Sequence, residues 1–220
     1  MVSFENSEIK EFVIPSRVKK IDQSCFKDCE TIEKVVIPSS VTELGDFAFF
    51  RCTALTEVTF EQPSSVTVIP RHAFYGCKSL TELIIPPSVT LIEESAFFGC
   101  SSLKMISIPE SVTEIRHHAF CDCKSLQKIE IPSTVTGIKR STFCRCSSLN
   151  DISIPSSVAE IEEFAFYGCA SLKNLRIPIS VKKIGDMTFN GCTSLEKLSF
   201  SASAEINELG VGKKVEILRF

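Results

Sequence analysis

Apolar residues recur along the chain at one fixed spacing: Leu80-x-x-Leu83-x-Ile85, Leu103-x-x-Ile106-x-Ile108, Leu126-x-x-Ile129-x-Ile131, Leu149-x-x-Ile152-x-Ile154 and Leu172-x-x-Leu175-x-Ile177. Two apolar residues separated by one project from the same face of a strand, and the residue between them faces the other way. The spacing therefore predicts one short strand per unit, its apolar pair in a core and the intervening residue in solvent. Pro follows each of these strands and removes a ladder donor, which ends the pairing. A second apolar pair comes next, Val89 with Ile92 or Val112 with Ile115, and Ala-Phe-x-x-Cys closes the unit.

Aligned on the closing Phe and Cys, the unit occurs eight times: Phe26/Cys29, Phe49/Cys52, Phe74/Cys77, Phe97/Cys100, Phe120/Cys123, Phe143/Cys146, Phe166/Cys169 and Phe189/Cys192. The step is 23 residues except between Phe49 and Phe74, where an insertion at Gln62-Pro63 makes it 25. A period in the twenties with this spacing marks a leucine-rich repeat solenoid. One such unit cannot bury its own apolar face, so neighbours must stack and identical positions become ladders of Phe, Cys and Ile/Leu. The expected fold is an α/β-type solenoid with little helix, a curved parallel β-sheet on its concave face and irregular or 3-10 segments on the convex side. Ser or Thr precedes the Val of most units (Ser40, Ser65, Ser88, Ser111, Thr134, Ser157, Ser180), and these hydroxyls are expected to bond loop backbone groups that would otherwise be buried unpaired.

The pattern x-Ile-Pro-x-Ser-Val-x-x-Ile-x-x-x-Ala-Phe-x-x-Cys-x-Ser-Leu, over roughly residues 9 to 200, resembles the BspA-like class of leucine-rich repeats. The resemblance implies the scaffold. It implies no catalytic residues and no cofactor, and it leaves two settings open, since members include surface or adhesion proteins as well as intracellular binding modules.

Boundaries follow from where the unit starts and stops. Residues 1–13 are expected to be an N-terminal cap and first strand, with Val2 and Phe4 alternating in a polar lead. Residues 14–200 hold the eight repeats, and 201–220, which lack both the Phe and the Cys, are expected to cap the last apolar edge. The net charge of −3 and the absence of a basic stripe argue against nucleic acid and anionic membranes. No apolar run approaches the length of a membrane span, and the first residues carry no apolar signal region. A cytoplasmic protein is the expectation, with a cell-surface one as the alternative.

Candidate function lies on the exposed strand positions, which vary while the scaffold hardly does. Glu57, Glu82, Met105, Lys128 and Asp151 belong to one column of the expected concave face, and Thr59, Ile84, Ser107, Glu130 and Arg176 to a second. Ile84 and Met105 with charged neighbours make an apolar centre in a polar rim, a common interface layout. These residues point to a non-catalytic scaffold binding a protein partner, as a regulatory or signalling adaptor. An adhesin-like surface module is the alternative, and either cap leaves room for a homodimer.

Two further signals stand in the chain. Cys121 and Cys144 fall one repeat apart, with His117 and His118 just upstream, so a thiol or metal sensor is a second alternative, although no metal site is assigned. The remaining cysteines read as small apolar ladder residues, and an odd total of 11 points to free thiols. Lys197-Leu198-Ser199-Phe200 resembles a docking peptide for type-1 protein phosphatase, but such a peptide must be free to add to its partner as a strand. Neither His72 nor His118 has a nucleophile and an orienting acid at a persuasive spacing, and there is no Gly-rich phosphate loop, so an enzyme is not expected.

Overall fold

A computed structural model describes residues 9–220, so the lead containing Val2 and Phe4 lies outside the described residues. Each repeat forms one coil bearing a longer and a shorter strand. In chain order these are β1 (Glu11–Val13) and β2 (Lys20–Ile21), β3 (Lys34–Ile37) and β4 (Glu43–Leu44), β5 (Glu57–Phe60) and β6 (Val68–Ile69), β7 (Glu82–Ile84) and β8 (Leu91–Ile92), and β9 (Met105–Ser107) and β10 (Glu114–Ile115). The series continues with β11 (Lys128–Glu130) and β12 (Gly137–Ile138), β13 (Asp151–Ser153) and β14 (Glu160–Ile161), β15 (Asn174–Arg176) and β16 (Lys183–Ile184), β17 (Lys197–Phe200) and β18 (Glu205–Ile206), and finally β19 (Glu216–Arg219).

Every pairing is parallel and in repeat register, as in Glu11 opposite Lys34 and Lys128 opposite Asp151. The molecule is a parallel β-solenoid of about nine coils, and none of the described residues is helical. Between the strands each coil is turns and irregular backbone, and the shorter strands pair among themselves from coil to coil. Helix is excluded locally, because the residues two before and two after each ladder Phe take positive φ. Ser95 and Gly99 do so around Phe97, and His118 and Asp122 around Phe120. No right-handed helix runs through such residues.

The Phe ladder is continuous. From Phe26 to Phe189 each ring lies nearly parallel to the next, with centroids 5.0 Å apart at Phe26–Phe49 and 5.8 Å at Phe166–Phe189. Offset stacking of this kind contributes about 0.5–1.5 kcal/mol per pair beyond burial.

Beside the rings, the cysteines do more than fill space. Cys52, Cys77, Cys100, Cys123, Cys146, Cys169 and Cys192 each donate Sγ–H to the carbonyl of the ladder Phe in the preceding coil, at 2.9–3.2 Å. The hydroxyls before each Val act the same way. Ser40, Ser88, Ser111, Thr134 and Ser157 donate to the Val carbonyl one coil back, at 2.5–2.8 Å. Two do not: the Ser180 hydroxyl is buried with no partner, and Ser65, next to the insertion, is exposed. Buried backbone carbonyls are thus satisfied between coils by side chains that the repeat supplies at one position each.

Residues 201–220 continue both ladders in a shortened coil. β18 pairs with β16, and β19 pairs with β17 through Lys197 opposite Glu216, a step of 19 residues. All four β19 residues are exposed. Two cation–π contacts bind this strand: Arg219 lies 5.4 Å from the Phe200 ring centroid, and Arg176 lies 5.4 Å from that of Phe220.

Candidate binding face

The longer strands alternate as their sequence demands. In β7, Leu83 is buried between exposed Glu82 and Ile84, and in β9 Ile106 is buried between Met105 and Ser107. All ten candidate residues, Glu57, Thr59, Glu82, Ile84, Met105, Ser107, Lys128, Glu130, Asp151 and Arg176, are exposed on this one face. Ile84 and Met105 stand out for their chemistry, at 73% and 60% exposure. A shallow depression of about 340 Å³ lies over them, lined also by Glu57, Thr59, Gln62, Glu82 and Ser107. A second, of about 280 Å³, shares Met105 and Ser107 and extends to Lys128 and Glu130. Together they form a trough crossing β5, β7, β9 and β11.

The paired register of the longer strands is interrupted along this trough, between β5 and β7 and again between β9 and β11. The first interruption coincides with the insertion. Gln62 folds back there, Nε2 donating to the Phe60 carbonyl at 3.3 Å and Oε1 accepting the Ser64 amide at 3.2 Å, so the insertion forms one wall of the trough.

Charges on this face are mostly matched within it. Lys34 bridges Glu11 and Glu57 at 3.4 and 3.7 Å, and Lys128 bridges Glu130 and Asp151 at 3.1 and 3.5 Å. Their carboxylate partners raise the pKa values of both lysines, Lys34 chiefly through Glu11 and Lys128 chiefly through Glu130. Glu216 pairs with Lys197 at 3.6 Å. Among the described residues, Glu82 is the carboxylate of these columns that has no cation, and it stands beside Ile84 and Met105 in the trough. Arg176 is engaged from above by Phe220. Nothing in the repeat pattern signalled that contact, because the last coil departs from the 23-residue register.

Other sequence signals fall elsewhere. Leu198 and Phe200 are buried and β17 is paired on both edges, so the phosphatase-like tetrapeptide is not presented as a free strand. His72 and His118 occupy positive-φ positions, and burial lowers the pKa of each. Cys121 and Cys144 are buried at the same position of successive coils, and among the described residues no three of His, Cys, Asp and Glu converge as metal ligands. A larger cavity, about 430 Å³, lies beneath residues 210–215 where the last coil is short, but it brings together no matched set of polar groups.

The model of the BspA type leucine rich repeat region matches residues 1–127 and 114–212 in six copies. The chain belongs to the BspA-type leucine-rich repeat family. Among solved structures, this BspA-type chain is similar to a leucine-rich repeat protein from Bacteroides ovatus, with 29% identity over 89% of this chain and a TM-score of 0.69. It spans 59% of that protein. It is similar also to a T. pallidum leucine-rich repeat protein, with 27% identity, 86% of this chain, 79% of that one and a TM-score of 0.68. A leucine-rich cell surface protein from Faecalibacterium prausnitzii is 32% identical over 90% of this chain and 49% of its own, with a TM-score of 0.64. No curated protein matches. No helix among the described residues is long and apolar enough to cross a membrane.

Proposed function

We propose that this BspA-type solenoid is a non-enzymatic recognition scaffold that binds a protein partner in the trough over β5 to β11. The observation that carries the reading is the unmatched Glu82 carboxylate next to two widely exposed apolar side chains, on a face whose other carboxylates have cations. Exposed Ile and Met gain by burial, about 25 cal/mol per Å² of apolar area. Glu82 gains by pairing with a cation in the same contact. The complementary partner therefore presents an apolar side chain beside Lys or Arg, and the Glu130 and Asp151 side of the trough, where Lys128 is already shared, adds specificity more than affinity.

A randomised peptide library selected on the immobilised protein tests this. Selected sequences should pair an apolar residue with an adjacent cation, and Glu82→Lys should reduce their capture at least tenfold without moving the thermal midpoint. Ile84→Ser should weaken the same sequences. Selected peptides that are acidic, or that bind both variants as well as wild type, would remove the trough from consideration.

A second reading is supported by one comparison, the cell surface description of the protein that shares 32% identity. Display of the trough on a cell exterior is compatible with the same partner chemistry. Antibody staining of intact cells separates it from a cytoplasmic site of action.

A further inference from the structure

A row of aromatic rings runs outside the Phe ladder, one residue after it. Phe50 stacks on Tyr75 at 4.9 Å and Tyr75 on Phe98 at 4.7 Å, and Tyr167 resumes the row three coils later. Between Phe98 and Tyr167 the row is interrupted by Cys121 and Cys144. Backbone bonds fix these two as in-register neighbours, since Phe120 N donates to Thr142 O at 3.0 Å and Asp122 N to Cys144 O at 2.8 Å. Parallel neighbours stand about 4.8 Å apart, inside the roughly 4.4–6.8 Å Cα separation that a disulfide spans. The next residues along, Asp122 and Arg145, clamp the same two coils through a bidentate ion pair, with Arg145 Nε donating to Asp122 Oδ1 at 2.9 Å.

The two thiols are unlike. A hydrogen bond from Cys121 stabilises the Cys144 thiolate and Arg145 adds to the effect, lowering the Cys144 pKa, while the same bond and burial raise that of Cys121. Cys144 is also the more accessible, at 9% against 2%. The ladder thiols from Cys52 to Cys192 differ from both, because they donate to carbonyls and burial keeps them protonated, Cys100 being pushed up to about 12.

We propose that Cys121 and Cys144 form a peroxide-responsive dithiol in which Cys144 attacks, Cys121 resolves, and the resulting disulfide staples the fifth coil to the sixth. In the first step the Cys144 thiolate attacks one oxygen of hydrogen peroxide. An S–O bond forms, the O–O bond breaks, and the departing hydroxide is protonated to water. In the second, Cys121 gives up its proton and attacks the Cys144 sulfenic sulfur. The S–S bond forms, the S–O bond breaks, and the hydroxide that leaves takes up the proton as water. Two thiols are oxidised to one disulfide, and one peroxide is reduced to two waters.

Exposure alone predicts a different first target. Cys25 is the most accessible of the cysteines, but partial burial and then Asp22 raise its pKa, which disfavours its thiolate. The full-length chain, freed of reductant, is treated with hydrogen peroxide, its remaining thiols are alkylated, and its peptides are mapped without reduction. The expected product joins the peptides of Cys121 and Cys144 with the loss of two hydrogens, while Cys25 is still alkylated. In Cys121→Ser, a sulfenic-acid probe should label Cys144, and in Cys144→Ser it should label neither position. Oxidation of Cys25 ahead of the pair in wild type, or label on Cys121 in Cys144→Ser, would overturn the proposal.

Discussion

Replacing Cys100 separates the two things a ladder thiol does. Its side chain is fully buried, and its Sγ–H donates to the Phe74 carbonyl at 3.1 Å, a carbonyl that also accepts the Cys77 amide at 3.1 Å. Cys100→Ala removes a buried group of about methylene size, worth roughly 0.8 kcal/mol, and a bond from a weak donor, worth about 0.5 kcal/mol. The carbonyl keeps its amide, so no group is left wholly unpaired, and the loss should total about 1.3 kcal/mol. Cys100→Ser loses part of the same volume but retains a donor aimed at the same acceptor, so it should cost about 1 kcal/mol or less. If the thiols served only as small apolar filler, the order would reverse, because serine would bury an unpaired hydroxyl at about 1–3 kcal/mol. Urea midpoints of wild type and both variants, with m-values unchanged, give the comparison directly. A serine variant less stable than the alanine variant by more than about 0.5 kcal/mol would refute the donor role.

The serine ladder offers a matched pair. Ser88→Ala should cost about 1 kcal/mol through loss of its 2.6 Å bond to the Val66 carbonyl, whereas Ser180→Ala should be neutral or stabilising because that hydroxyl has no partner; equal losses in thermal melts would count against the assignment. Arg51 holds φ +56 at the position where Gly76 and Gly99 stand in the next coils, and its ion pair with Asp28 is exposed, so Arg51→Gly should stabilise by about 0.5–1 kcal/mol. Gly168→Ala should destabilise, since φ is +71 and the new Cβ would sit 3.2 Å from Arg145 Cγ; a higher melting temperature than wild type would contradict this. For pH, burial pushes the Glu162 carboxyl up, but the Arg140 amide, Lys139 and His117 together outweigh it and leave the pKa below 4.5. The folded state thus favours the carboxylate, and this stability is present above the unfolded pKa and is lost as pH falls through the folded one. Glu162→Gln should flatten the acid limb of the stability curve below about pH 4.5, and an unchanged limb would refute the assignment.

Much of the scaffold could be read from spacing, because period-2 alternation within a strand and strict recurrence between coils leave one consistent stacking. Glu82, Ile84, Met105 and Ser107 fall where that alternation puts them, and Leu83 and Ile106 are buried between them. What could not be read depends on contacts between coils rather than on pattern within one. The thiol-to-carbonyl bonds link residues 26 or 28 apart, and Cys looks the same in sequence whether it fills space or donates. Positive φ two residues either side of the ladder Phe was hidden because Asp28, Arg51, Asp122 and Arg145 take a position held elsewhere by Gly. The four glycines at that position, Gly76, Gly99, Gly168 and Gly191, were the available signal. The shortened last coil was hidden for a different reason. Without Phe and Cys there is no anchor for its register, so the clasp of Phe220 on Arg176 had no sequence trace.

The dithiol and the trough share coils without sharing contacts, and that separation makes a sharp expectation. A Cys121–Cys144 bond would hold the fifth coil, which carries β9 and β10, to the sixth, which carries β11 and β12, a step at which the paired register of the longer strands is interrupted. Of the interrupted steps that border the trough, β9 to β11 is this same step, while β5 to β7 lies two interfaces toward the N-terminus. In a solenoid, stability is close to a sum of coil terms and nearest-neighbour terms, so strengthening one interface leaves the geometry two interfaces away unchanged. Oxidation should therefore raise resistance to unfolding locally, visible as slower amide exchange in residues 120–145, while the affinity of peptides anchored at Glu82 and Ile84 for reduced and oxidised protein agrees within about twofold, or about 0.4 kcal/mol. A tenfold difference in affinity would mean that the coils are coupled over a longer range than nearest-neighbour stacking permits, and the trough would then have to be treated as a surface under redox control.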